Sequence, residues 1–447
     1  MKYEKWSLGY WFLKQYISFA DWLIHKKVII TGKDKIPKNK PIVFAPNHQN
    51  ALSDPMAVLL HTRYQPVWLG RADLFGNSKI VDTILRFLKI MPVYRLRDGK
   101  ANLEKNEKTF ADSIKVLENN FALALFPEAA HSAKRQMLVH KKAVPRIVFM
   151  AEEKSKNKLD IQIIPTGIYY SSYWKFNRTV IVNFGDPIPA KDYLEQYHEN
   201  PKLATIALKT KIQQAILQLV INFKTKRFYN EFEAIREIYG PHFLRKQNWK
   251  FSTLNQLKSD QVLADKLDKL ETEKPEVAEQ VAKDASSLNS KIKKLKFRSW
   301  LTDSTPQRHV GKIISNIPVL ILGLPVFLYG LVFNALPFFI IDQSVRKKVK
   351  DFSFWSTYFL GAGIIVFPVL YLLELLAVYW IIPGIWLKVL FLVSLPLTGK
   401  LAFKWFVLFR KTVGMFRYLW LKKFNPKIYR QHLNEKQSLT EKLDTLL

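Results

Sequence analysis

The sequence predicts an α/β fold, a mixed sheet flanked by helices, followed by a C-terminal helical region embedded in a membrane. Two observations carry this. Between about 35 and 225, short apolar runs rich in β-branched and aromatic residues alternate with amphipathic stretches, as strands alternate with helices in layered α/β domains. From 317 to 341 the chain then carries no charge, and from 353 to 399 only Glu374 and Lys388. Apolar runs of more than about 18 residues read as membrane-embedded.

Each element has its own signal. Strands are expected at 42–46, 66–70, 91–94, 121–126, 161–169 and 180–184, and helices at 55–64, 78–89, 101–119, 141–152 and 202–222. Residues 1–30 read as one amphipathic helix. Leu8, Trp11, Phe12, Phe19, Trp22 and Leu23 share a face, and Ser7, Lys14, Ser18, Asp21 and His25 line the other. Such a helix lies in a bilayer interface or docks its aromatic face on the next domain. It is no cleavable signal, because Lys14 and Asp21 break the apolar stretch. Residues 31–225 form the expected catalytic domain. Residues 226–310, rich in Lys, Glu, Asp and Gln, read as a charged, exposed helical linker.

The formal net charge is +32, from 69 basic and 37 acidic residues, which calls for a polyanionic partner. The apolar C-terminal runs favour anionic membrane lipids, and no nucleic-acid partner is expected. The chain has no cysteine, which excludes disulfides and thiolate metal sites. Its nine histidines show no ligand spacing, so no metal is expected.

The most informative stretch is Asn47-His48-Gln49-Asn50-Ala51-Leu52-Ser53-Asp54, directly after the apolar run at 42–46. It places an imidazole at the end of a buried strand, with a carboxylate six residues on. A histidine near neutral pH can deprotonate a hydroxyl when a carboxylate fixes its tautomer. Asp54-Pro55 is equally a good helix start, with Asp as N-cap and Pro at the first helical position. Three further blocks follow: Arg95 in Met91-Pro92-Val93-Tyr94-Arg95, Glu128 in Phe126-Pro127-Glu128-Ala129-Ala130-His131-Ser132, and Ile163-Ile164-Pro165-Thr166-Gly167.

In this order the four blocks resemble the glycerolipid acyltransferase superfamily, the glycerol-3-phosphate and 1-acylglycerol-3-phosphate acyltransferases, over roughly residues 25–225. The resemblance implies His48 as general base and Asp54 as its partner. It also implies Arg95 as a phosphate ligand, Glu128 as part of the acceptor site and Pro165 as a wall of the acyl site. Two departures stand out. Five residues separate His48 from Asp54 where four are usual, a spacing similar to that of the fungal-type glycerol-3-phosphate acyltransferases. In the third block Ala129 replaces the usual Gly, and Ala130 and His131 replace Thr and Arg. His131 then stands at a phosphate-ligand position, and Lys134, Arg135 or Lys142 could supply the lost charge, without a guanidinium fork in the case of lysine.

The implied activity is transfer of a fatty acyl group from acyl-CoA or acyl carrier protein to the hydroxyl of glycerol 3-phosphate. No cofactor is implied beyond the thioester co-substrate. Lysophosphatidate is the alternative acceptor, and a degenerate membrane lipid-binding or scaffold protein is the non-enzymatic alternative. The basic loop at 345–350 and the basic tail at 411–447 belong in the cytoplasm by the positive-inside rule. A thioester-using domain belongs there too, so the protein is expected to be integral to the membrane with that domain facing the cytoplasm. Within 311–410, residues 312–341, interrupted by Pro318, Pro325 and Pro337, are therefore expected to be a re-entrant hairpin. Residues 356–405 are expected to be a transmembrane hairpin turning at Pro383-Gly384.

Overall fold

A computed structural model describes residue 3 and residues 5–76, 78–94 and 104–447. The chain divides into two compact units. One holds residues 1–220 together with 341–365, and the other holds 221–340 and 366–447.

The first unit is built on a mixed eight-stranded sheet. Its strands are β1 (His25–Thr31), β2 (Ile42–Pro46), β3 (Val67–Arg71), β4 (Ile90–Val93), β5 (Ala122–Ala124), β6 (Gln162–Tyr170), β7 (Arg178–Phe184) and β8 (Ile188–Pro189). The order is β1-β7-β6-β2-β5-β3-β4, with β8 paired to β6. Strands β6, β2, β5, β3 and β4 run parallel, β7 opposes β6, and β1 lies parallel to β7. The C-terminal ends of β2, β5, β3 and β4 and the N-terminal ends of β1 and β7 therefore share one edge of the sheet.

Its helices are α1 (Leu8–Ile24), α2 (Ser53–His61), α3 (Lys79–Phe87), α4 (Lys105–Glu118), α5 (Ala143–Lys154), α6 (Leu194–Glu199) and α7 (Pro201–Leu217). Successive residues of β2 point to opposite faces. Val43 and Ala45 pack with Leu123, Ile147, Val148 and Leu208, while Ile42 and Phe44 pack with Val58, Trp68, Ile164 and Val182. Both faces are covered, which is why this strand reads as an unbroken apolar run.

Several expected boundaries move. The N-terminal helix stops at Ile24, and His25–Thr31 is an edge strand, with Lys26 and Lys27 exposed and Val28 and Ile29 half-buried. Helix α1 also docks with its polar face inward. Lys14 and Asp21 are buried, whereas Trp11, Phe12, Phe19 and Trp22 are each more than 40% exposed. The Lys14 ammonium donates to the carbonyls of Thr62 (2.6 Å) and Tyr64 (3.1 Å).

The second unit is helical: α8 (Tyr229–Lys246), α9 (Thr253–Glu273), α10 (Pro275–Lys294), α11 (Pro306–Lys348, of which 341–348 belong to the first unit), α12 (Trp355–Val378, with 355–365 in the first unit), α13 (Ile385–Phe424) and α14 (Pro426–Leu446). The expected exposed linker at 226–310 is instead a packed bundle. Leu257, Leu263, Leu267, Val281 and Leu288 are buried, and the Arg236 guanidinium meets Asp260 at 3.0 Å. The expected tail at 411–447 is also folded. It comprises the end of α13 and helix α14, whose Asp444 accepts from the Tyr239 hydroxyl at 2.8 Å.

Three helices, α11, α12 and α13, are long and apolar enough to cross a membrane. The re-entrant hairpin at 312–341 is corrected, because α11 runs through all three prolines without reversing. Membrane helices accommodate proline where neighbouring groups satisfy the freed carbonyls. The Trp405 indole donates to the Leu320 carbonyl (2.9 Å), next to the Ile321 carbonyl that Pro325 deprives of its helical donor, and Gly330 lets α11 approach the Thr398 backbone and Ala402. Helices α12 and α13 are separated by the turn that holds Pro383-Gly384.

Candidate active site

His48 follows β2 and Glu128 follows β5, so two adjacent parallel strands deliver both to the same edge. The six residues after His48 fold into a tight turn around a single carboxylate. The Asp54 Oδ2 accepts from His48 Nδ1 (2.8 Å), Gln49 N (2.7 Å) and Asn50 N (2.7 Å). Asp54 is therefore not the helix cap that its neighbour Pro55 suggests; α2 has Leu52 as N-cap and no side-chain cap. At the centre of the turn Ala51 holds a positive φ of 41°.

Every side chain from 47 to 50 is committed. Asn47 exchanges two hydrogen bonds with the Ile168 backbone, Gln49 accepts from the Tyr173 hydroxyl (3.0 Å), and Asn50 donates to the Tyr173 carbonyl (3.1 Å). The His48 ring stacks on Phe126 at 3.8 Å between centroids. With Nδ1 held by the fully buried Asp54 and the His48 side chain 16% exposed, Nε2 is the nitrogen available to a substrate.

The third block braces this arrangement through the backbone. Glu128 Oε1 accepts from the His48 N–H (2.9 Å) and Oε2 from the Leu138 N–H (2.8 Å), while Ser132 N donates to the His48 carbonyl (3.2 Å). Glu128 is 2% exposed. Burial pushes its carboxyl up to about 8, against the pull of the two N–H donors, which favour the charged form. Both oxygens are thus taken by the protein's own peptides, and Glu128 holds His48 in place. Ala129 adopts the left-handed conformation, φ 55°, where the resembling sequences carry glycine.

The remaining expected residues divide. His131 lies at the site, its ring edge-on to His48 (5.3 Å) and to Phe354 (4.7 Å). Burial first, and the charge of His48 second, hold its pKa below the usual value. Pro165 lies in β6 opposite Ala45 of β2, just before the residues that carry the turn. Lys142 is exposed at the start of α5, and among the described residues no hydrogen bond or ion pair joins it to His48 or Asp54. Of the alternatives for the missing charge, Arg135 is buried and donates to the Tyr170 carbonyl at 2.8 Å. Arg95 lies outside the described residues. No group of three potential metal ligands occurs among the described residues.

Sequence reasoning missed several contributors. Ser356, at the start of α12, donates to Asn50 Oδ1 (2.7 Å) and meets the Ser53 hydroxyl at 3.0 Å, and the Thr357 hydroxyl accepts from Leu52 N (3.0 Å). No local pattern signals these contacts across three hundred residues. Arg71 ends β3 on the same edge and pairs with Asp73; its strand-end position was the available signal. Arg178 begins β7 beneath the turn.

The arrangement is that of an imidazole base with an oriented partner, set at the strand ends where α/β enzymes build their sites. Residues 27–169 match the family model described as Acyltransferase. Glycerol-3-phosphate O-acyltransferase 2 of Saccharomyces cerevisiae (strain ATCC 204508 / S288c) is 24% identical over 228 residues, covering 48% of this chain and 28% of that protein. Among solved structures, the 1-acyl-sn-glycerophosphate (LPA) acyltransferase PlsC from Thermotoga maritima aligns with a TM-score of 0.32 at 19% identity, covering 46% of this chain and 80% of that one.

Proposed function

We propose that the chain is a membrane-bound O-acyltransferase of phospholipid biosynthesis, of the glycerolipid acyltransferase superfamily; the match of residues 27–169 to the Acyltransferase family model supports this reading. The chain transfers a fatty acyl group from acyl-CoA or acyl carrier protein to glycerol 3-phosphate. The observation that carries this is the His48–Asp54 pair, with Nδ1 tied down at 2.8 Å and Nε2 left for a hydroxyl. The acceptor oxygen attacks the thioester carbonyl while Nε2 takes its proton. Collapse of the tetrahedral intermediate expels the thiolate, which receives that proton, giving an ester and a free thiol. Asp54 stabilises the imidazolium between the two steps.

Glycerol 3-phosphate is preferred over lysophosphatidate for two reasons: the five-residue spacing between His48 and Asp54, and the name of the yeast relative. The acceptor phosphate needs a cation; Arg71, at the end of β3, is one candidate, and the sequence resemblance implies Arg95 as another. Fixing the acceptor beside the base supplies proximity, worth several kcal/mol.

The outward aromatic face of α1 suits the headgroup layer of a bilayer. The basic stretch at 346–350 lies within the 341–365 segment of the catalytic unit, and by the positive-inside rule it supports a cytoplasmic side for that unit.

The test is turnover of purified protein in detergent with both acceptors and both thioester types. His48→Ala should lower the rate by orders of magnitude while leaving the melting temperature in place. Equal rates in the two proteins would overturn the reading.

A further inference from the structure

Behind the His48–Asp54 pair lies a charged group that the reaction scheme does not use. Arg178 is 5% exposed. Its strand pairs with β1 so that His25 stands opposite it, and with β6 so that Val180 stands opposite Tyr170. These pairings carry the guanidinium to the edge where the 48–54 turn sits. It donates from Nε to His25 Nε2 (3.1 Å), from Nη2 to the Ser53 hydroxyl (3.2 Å) and from Nη1 to the Tyr173 carbonyl, and it stacks over the Tyr170 ring at 4.6 Å.

A guanidinium only donates. His25 Nε2 therefore accepts, and the ring proton sits on Nδ1, which faces the Asp21 carbonyl (2.9 Å) and carboxylate (3.1 Å). The result is a continuous chain, Asp21–His25–Arg178–Ser53, running from the end of α1 to the residue beside Asp54. A small cavity of about 10 Å³ adjoins it, lined in part by Asp21, His25, Ser53, His61, Tyr170 and Arg178, room for about one water.

Asp54 needs such a partner. It is fully buried, and its Oδ1 has no hydrogen bond. A buried carboxylate with an unpaired oxygen is costly without a nearby positive charge. Tyr170, Asp21 and Asp54 in turn support the guanidinium charge against its burial.

We infer that Arg178 is a positioning residue for the proposed reaction: its buried guanidinium, anchored by His25 and Asp21, holds the Ser53 end of the turn and keeps Asp54 in register with His48. This rests on the reading of His48 as the base. The other titratable groups around Arg178 are Asp21 of α1, His25 of β1, His61 of α2 and Tyr170 of β6; Glu128 and His131 face the His48 side. Removing a buried positive charge beside the base pair moves the onset of activity to higher pH.

The experiment is the pH profile of kcat/KM for the full-length protein and two variants. Arg178→Met should lower kcat about 10- to 100-fold, leave both KM values in place, and move the acidic limb up by about one pH unit. Arg178→Lys keeps the charge but loses the three-way fork, so its limb should stay while kcat falls. Wild-type turnover in either variant overturns the inference, as does a loss of activity in Arg178→Met with an unmoved limb. Should Arg178→Met fail to fold, Arg178→Lys alone decides. His48→Ala is the control: an inactive His48→Ala beside a wild-type-like Arg178→Met removes only the role of Arg178, whereas an active His48→Ala removes the reading of the base.

Discussion

Glu128→Gln is the sharpest test of how the base is held. The carboxyl accepts two backbone N–H bonds, from His48 at 2.9 Å and from Leu138 at 2.8 Å. An amide has one oxygen and one NH₂ group, so only one of these bonds survives and the other N–H faces a second donor. An orphaned buried donor costs about 1–3 kcal/mol. At about 2–4 °C per kcal/mol for a domain of this size, the melting temperature should fall by several degrees.

The deficit should depend on pH in a defined direction. The folded carboxyl titrates at about 8 against an ordinary 4.5. A raised folded pKa contributes stability that is present in full below 4.5 and lost as pH rises through 8. Glu128→Gln has no such group, so its deficit should be larger at pH 6 than at pH 9. Activity should fall further than stability alone explains, because a shift of about 1 Å in the His48 peptide can cost about a hundredfold in rate. Melting followed by tryptophan fluorescence, alongside kcat, gives both readouts. A variant melting within a degree of wild type at both pH values, with normal kcat, would show that Glu128 does not brace the base.

Other outcomes follow from the same geometry. Ala129→Gly relieves a left-handed alanine at φ 55° and should stabilise the protein by about 1 kcal/mol, read as a higher melting temperature; a lower one would refute it. Ser356→Ala leaves the buried Asn50 and Ser53 each short of a partner; it should cost about 1–3 kcal/mol and reduce kcat with KM unchanged, and unchanged melting and kcat would count against it. Because the chain has no cysteine, Phe19→Cys carries a single polarity-sensitive dye. Its emission should shift to the blue on adding anionic vesicles, and an unshifted spectrum would remove the interfacial role of α1.

Much of the sheet was legible because buried parallel strands have no solvent face, so 42–46 and 161–169 stand out as apolar runs. The pairing of His48 with Asp54 was legible from spacing, since both sit in one turn. The strand at His25–Thr31 was not, because it follows an amphipathic helix directly and opens on two adjacent exposed lysines, Lys26 and Lys27, at a sheet edge. The periodicity of α1 located its two faces correctly but said nothing of which one turns inward. Lys14 and Asp21 face the domain because carbonyls and histidines there satisfy them, which no helical wheel reveals. Helix α11 was misread because three prolines signal breaks in water, whereas packing supplies what they remove. Arg178 and Ser356 were invisible for a different reason: each reaches the 48–54 turn through tertiary folding, far along the chain from the motif it supports.

The contacts of Ser356 and Thr357 have a practical corollary. The hydroxyls that steady the reactive loop sit on the opening turn of a helix that continues as a lipid-soluble rod. Trimming the gene after codon 225 to obtain a water-soluble enzyme would delete those hydroxyls with the hydrophobic segment. Inactivity of such a fragment would then report a loosened loop, and would carry no information about whether lipid itself is required for turnover.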